Sequence, residues 1–226
     1  TAVSAPPSAR LLVFRNVVFV GIYPREDAEV PVTTPATMSA ARSVLLFIVA
    51  ARGGVDGNAY HDLVANESKE NVAKLQQLID DKVPGINERG QGGQTPLMMG
   101  CLMGKYNAVE KLLKAGADYT IAEKDGYTPM HGCAFQGRAD VCKLLIDFGL
   151  DPSLRHTDGF TPIHRACWGD TPMHTVAVKV FLEAGVDPEE RPIKDGKQGP
   201  LCVEMSNNDA TKRMLKTWME KKKDEL

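Results

Sequence analysis

What most limits the folds open to this chain is a period. Thr95-Pro96-Leu97, Thr128-Pro129-Met130-His131 and Thr161-Pro162-Ile163-His164 begin 33 residues apart, and a fixed spacing of this size means stacked copies of one small unit. Each Thr-Pro follows a glycine by two positions (Gly93, Gly126, Gly159) and precedes a small pair in register, Gly100-Cys101, Cys133-Ala134 and Ala166-Cys167. An apolar run then leads to Gly-x-Asp at Gly116, Gly149 and Gly185, the last interval being three residues longer.

Each recurring residue has a local physical reason. A threonine hydroxyl caps a helix, and proline at the first helical position has the right φ and gives up only an amide that would lack a partner. A helix therefore starts at every Thr-Pro. The small pairs let a neighbouring helix come close. Leu112-Leu113, Leu144-Leu145 and Val180-Phe181-Leu182 form the apolar face of a second helix, which Gly116, Gly149 or Gly185 ends in a left-handed cap. The stretch from Asp118 to Tyr127, with Asp125-Gly126 near its end, has turn chemistry and is too short for a further helix, so it predicts a projecting β-turn finger.

With Thr128-Pro129-Met130-His131-Gly132-Cys133 and Thr161-Pro162-Ile163-His164-Arg165-Ala166 matching Thr-Pro-Leu-His-x-Ala, the units resemble ankyrin repeats. The resemblance implies an all-α solenoid of helix-turn-helix repeats with β-turn fingers over residues 60–226, in about five units: 60–90, 91–123, 124–156, 157–193 and 194–226. The first match has Met98 where the histidine belongs, Tyr60 to Gly90 is a worn first unit, and Gly199-Pro200-Leu201 stands for Thr-Pro-Leu in the last. Met214-Leu215 and Trp218-Met219 among Lys, Arg and Glu provide the polar-backed face that a terminal repeat needs. Two departures, the insertion around Asp170-Thr171-Pro172-Met173-His174 and two extra finger residues before Gly199, are expected to fall on loops and reshape one edge of the stack.

Composition narrows the function. Lys+Arg 27 against Asp+Glu 29 leaves a net charge of −2, with no basic field to gather nucleic acid. The apolar stretches Leu11 to Val20 and Val44 to Ala51 are too short to span a bilayer. His131 with Cys133, and His164 with Cys167 and His174, offer a metal-site or Cys-His reading. They lack Cys-x-x-Cys or His-x-x-x-His spacing and recur with the repeat, so each has a structural explanation. No cofactor and no metal are expected, and the five cysteines are expected to be buried free thiols.

The ends of the chain carry targeting features. Residues 1–37 match no repeat and are expected to form a disordered extension; from Met38, Ser39-Ala40-Ala41-Arg42, the apolar run from Val44 and Val49-Ala50-Ala51 have the layout of a short secretory signal, leaving 38–59 as signal and linker. That reading needs Met38 as initiator; the alternative is an apolar helix on the first repeat. Lys223-Asp224-Glu225-Leu226 is the retrieval address of the endoplasmic reticulum. Together these predict a luminal protein, with cytoplasmic residence as the alternative, and Asn66-Glu67-Ser68 as a weak glycosylation acceptor.

In this architecture the fingers and first helices line a concave face, and residues there that the fold does not demand serve recognition. Gln94, Tyr127 and Phe160 precede the Thr; Leu102, Phe135 and Trp168 stand seven positions after it. Aromatics in register suit a binding hot spot, with Met103, Gln136 and Arg165 as an adaptable, partly polar surround. The chain is therefore expected to act as a monomer that binds another protein without catalysis. The rivals are an accessory docking subunit of an enzyme complex and an enzyme using His164, Cys167 and His174.

Overall fold

The computed structural model describes residues 58–224 and, separately, the backbone of two strands nearer the start. Those strands, β1 (Arg10–Phe14) and β2 (Val17–Gly21), pair antiparallel with Leu12 opposite Phe19. They lie within residues 1–37, the extension that matches no repeat and was expected to be disordered. The candidate signal segment, Glu225 and Leu226 lie outside the described residues.

Residues 58–224 form five helix pairs. They are α1 (Ala59–Ala65) with α2 (Lys69–Asp80), α3 (Pro96–Met103) with α4 (Tyr106–Lys114), α5 (Pro129–Phe135) with α6 (Ala139–Asp147), α7 (Pro162–Cys167) with α8 (Pro172–Glu183), and α9 (Cys202–Met205) with α10 (Asp209–Asp224). First helices stack on first helices and second on second, giving two layers with the core between them. No helix among the described residues is long and apolar enough to cross a membrane.

The helices start and stop where the repeat residues predict, although the Thr128 hydroxyl makes no bond to its helix backbone and lies 2.9 Å from His131 Nδ1 instead. Thr95 caps α3 by accepting from the Met98 amide at 3.2 Å, so the unit without the histidine keeps its cap. Gly116, Gly149 and Gly185 have φ of +80°, +91° and +88°, and the amide of the residue after each glycine closes on a carbonyl five residues back: Ala117 on Leu112, Leu150 on Leu145 and Val186 on Phe181, at 2.9–3.1 Å. The next Asp in each Gly-x-Asp folds its carboxylate over the amide two residues on, at 2.8–2.9 Å for Asp118, Asp151 and Asp187. Cys101, Cys133, Ala134, Ala166 and Cys167 are fully buried where helices meet, and a Cβ on Gly100 would stand 2.8 Å from Val109.

The first unit begins two residues earlier than the pattern placed it. Asn58 does the work of the missing Thr: its Oδ1 accepts from the Tyr60 and His61 amides and lies 2.9 Å from His61 Nδ1.

Three expectations are corrected. The insertion in unit four is not a loop: Thr171-Pro172-Met173-His174 is itself a cap, with Thr171 Oγ1 2.7 Å from His174 Nδ1, and it extends α8 to 12 residues where α4 and α6 have 9. The lengthened last finger closes as a hairpin, β3 (Ile193–Lys194) with β4 (Lys197–Gln198), turning on Asp195 (φ +51°) and Gly196 (φ +74°). Finally, not every cysteine is a free thiol. Cys133 on α5 and Cys142 on α6 are joined as a disulfide with Cα atoms 5.6 Å apart, because the two helices of one unit bring these positions face to face. Cys101, Cys167 and Cys202 are free and buried.

Candidate functional site

The fingers ahead of α3 and α5, together with α3, α5 and the end of α7, line an open cavity of about 350 Å³. Its lining brings together Gln94, Leu102, Tyr127, Phe135, Arg165 and Trp168 from the residues expected at the concave face, and adds Met98, Glu123, Asp125, His131 and Gly132. Met103 (41% exposed) and Gln136, the C-cap of α5, lie outside the lining, as does Phe160, which packs against it. Gly132 keeps the floor deep, since a Cβ there would stand 3.0 Å from Met98 Cε and 3.2 Å from Leu102 Cδ2.

Arg165 organises the site. As the fourth residue of α7 it projects toward the fingers, where its guanidinium carbon lies 4.7 Å from the Tyr127 ring centre, 5.1 Å from Phe160 and 4.5 Å from Trp168. Its Nη2 donates to Asp158 Oδ2 and, at 3.2 Å, to the Tyr127 hydroxyl. Burial opposes ionisation of Asp158, but hydrogen bonds from His156, Arg165 and the Phe160 amide outweigh it and hold the carboxyl well below its usual range. Arg165 is only 5% exposed, so it is a fixed floor rather than the adaptable surround expected from its position. Tyr127 is clamped on its other side by His156, stacked at 4.1 Å with Nε2 3.0 Å from the Asp125 carbonyl.

Over this floor Phe135 and Trp168 stand 52% and 40% exposed, and Trp168 leans on Phe160 at 4.9 Å. Among the described residues two buried side-chain nitrogens lack a hydrogen-bond partner, Arg165 Nε and His131 Nε2, and both residues line the cavity. His131 Nδ1 lies 2.9 Å from Thr128 Oγ1. Burial pushes the His131 ring down to about 4, so it is neutral at pH 7.

The rival catalytic trio is engaged elsewhere. His164 Nδ1 accepts from the Thr161 amide at 3.1 Å and Nε2 reaches the Glu190 carbonyl at 3.1 Å; His174 spans Thr171 and the Phe135 carbonyl at 3.0 Å. The Cys167 sulfur is fully buried beside Cys202, and burial, then that neighbour, push the thiol up, away from the thiolate a nucleophile needs.

Comparison with known families agrees with this geometry. A family profile described as ankyrin repeats in three copies matches residues 119–192, and the single ankyrin repeat matches 92–124. Residues 92–192 are ankyrin repeats. Ankyrin repeats generally mediate protein–protein interaction. The cavity lies wholly within the ankyrin region, and the fold continues the same pairing on either side of it, through α1 and α2 before and α9 and α10 after.

The residues that pattern reasoning missed are the finger carboxylates. Asp158 stands directly before Gly159 in the finger turn, where an Asp is explained by turn chemistry alone. Its second role depends on Arg165, seven residues away across the start of α7.

Proposed function

We propose that this chain binds another protein in the groove of ankyrin units two to four, with Phe135 and Trp168 as the anchors. The carrying observation is the pairing of two exposed aromatics in one lining: Trp168 rests on the Arg165 guanidinium and the Phe160 ring, which hold it in place, and Phe135 lines the same cavity. A preordered surface loses little entropy on binding, which is how a small patch reaches useful affinity.

The test is affinity capture followed by mass spectrometry, with the intact chain beside Phe135→Ala/Trp168→Ala and a convex-side control, Lys143→Ala. The reading requires a set of proteins held by the intact chain and by the control and lost from the double variant. A captured set indifferent to the double variant would move the interface elsewhere.

A luminal home is proposed alongside it. The disulfide between Cys133 and Cys142 supports an oxidising compartment, and Lys223-Asp224-Glu225-Leu226 is the matching address. Deleting residues 223–226 should release the protein to the medium; unchanged retention inside the cell would count against the proposal.

A further inference from the structure

We propose that the groove receives a basic residue of the partner, an arginine or lysine whose methylene stem lies on the apolar wall and whose cation meets Glu123 and Asp125. This rests on the concave-face reading above and adds the chemistry of the occupant.

Size and wall come first. At about 350 Å³ the cavity sits at the small end of ligand pockets, which suits one long side chain rather than a helix. Met98, Leu102, Phe135 and Trp168 offer it an apolar track, and a basic side chain is the one that can bury a long aliphatic stem while carrying a charge at its end.

Charge then selects the head group. The one cation of the lining, Arg165, is already paired with Asp158. Glu123 and Asp125 line the same cavity and have no ion-pair partner among the described residues: Glu123 Oε1 accepts only from the Asp125 and Tyr127 amides, at 2.9 and 3.2 Å. The uncompensated charge of the lining is therefore negative, and an acidic or phosphorylated segment would be repelled.

An independent feature also asks for a ligand. Arg165 is 95% buried and its Nε has no acceptor. Leaving such a donor unsatisfied is costly. A main-chain carbonyl of the incoming segment is the acceptor this donor would take.

The experiment uses the full chain with Trp218→Phe, so that emission reports Trp168. The probes are a short alanine-rich peptide with one central arginine and its citrulline, norleucine and glutamate counterparts. The arginine peptide should change the emission saturably at concentrations up to on the order of 1 mM. The citrulline peptide, alike in shape but uncharged, should bind about tenfold more weakly, and Glu123→Gln/Asp125→Asn should erase that difference. Asp125→Asn alone, which leaves the main-chain contacts of Asp125 to Glu123 and His156 in place, should weaken arginine binding in a protein whose fold is undisturbed. Equal binding of citrulline or norleucine, preference for glutamate, or no response to arginine would overturn the proposal. If any of these occurs while Phe135→Ala/Trp168→Ala still abolishes capture, only the basic-residue assignment falls and the concave-face reading stands.

Discussion

His174 Nε2 reaches the main-chain carbonyl of Phe135 at 3.0 Å, so the inserted cap of unit four holds the backbone beneath the most exposed aromatic of the groove. Unit three thereby gains a brace that the regular repeat does not provide.

His174→Ala removes that hydrogen bond together with the contact to Thr171. The expected cost is about 1–2 kcal/mol in urea unfolding, with a several-fold loss of partner affinity as Phe135 loosens. Loss of stability with affinity intact would mean that the brace serves the fold alone.

Stability should fall in mild acid. Burial pushes both His131 and His164 down from 6.5 to about 4. Above pH 6.5 folded and unfolded forms are both unprotonated at these rings; between 6.5 and 4 the unfolded chain takes up protons that the folded chain refuses. The stabilisation is complete above pH 6.5 and is lost as pH falls toward 4, by at most roughly 3 kcal/mol per histidine. Urea titrations at several pH values, repeated with His131→Gln, should show a shallower slope in the variant.

The disulfide makes a countable prediction. Alkylation of the unfolded, unreduced protein should label three of the five cysteines, and all five after reduction. A ring of this size should contribute about 2–3 kcal/mol, visible as a lower melting temperature in reductant.

Two glycines with the same backbone sign should respond differently. Gly149 (φ +91°) has nothing within 4 Å of an added Cβ, so Gly149→Ala should cost about 1 kcal/mol from the left-handed backbone alone. Gly159 (φ +88°) lies against the Ile193 carbonyl, and its own carbonyl accepts from the Ile193 amide at 3.2 Å. Gly159→Ala should cost about 3 kcal/mol or more and detach the last finger, with chemical denaturation as the measure.

Much of the fold was legible because capping is local. Thr95, Thr128 and Thr161 begin helices, and Gly116, Gly149 and Gly185 end them, through atoms within five residues along the chain. Thr171-Pro172-Met173-His174 repeats the letters of Thr128-Pro129-Met130-His131 and was equally readable as a helix start, and Asn58 with His61 is the same device in another residue.

The aromatic columns could likewise be read from register, since a constant period places equivalent residues on one face. What the groove does with them could not. The cage of Tyr127, Phe160 and Trp168 around Arg165, the Arg165–Asp158 pair, the uncompensated Glu123 and Asp125, and the joining of Cys133 to Cys142 all depend on spacings of a few ångströms between different elements. By itself the sequence determined where each helix begins, where it ends and which face is apolar, since those are short-range steric and hydrogen-bonding preferences. Only the stacking of units decided which polar and aromatic side chains meet, because ion pairs, ring contacts and disulfides form where tertiary packing brings atoms together, whatever their distance along the chain.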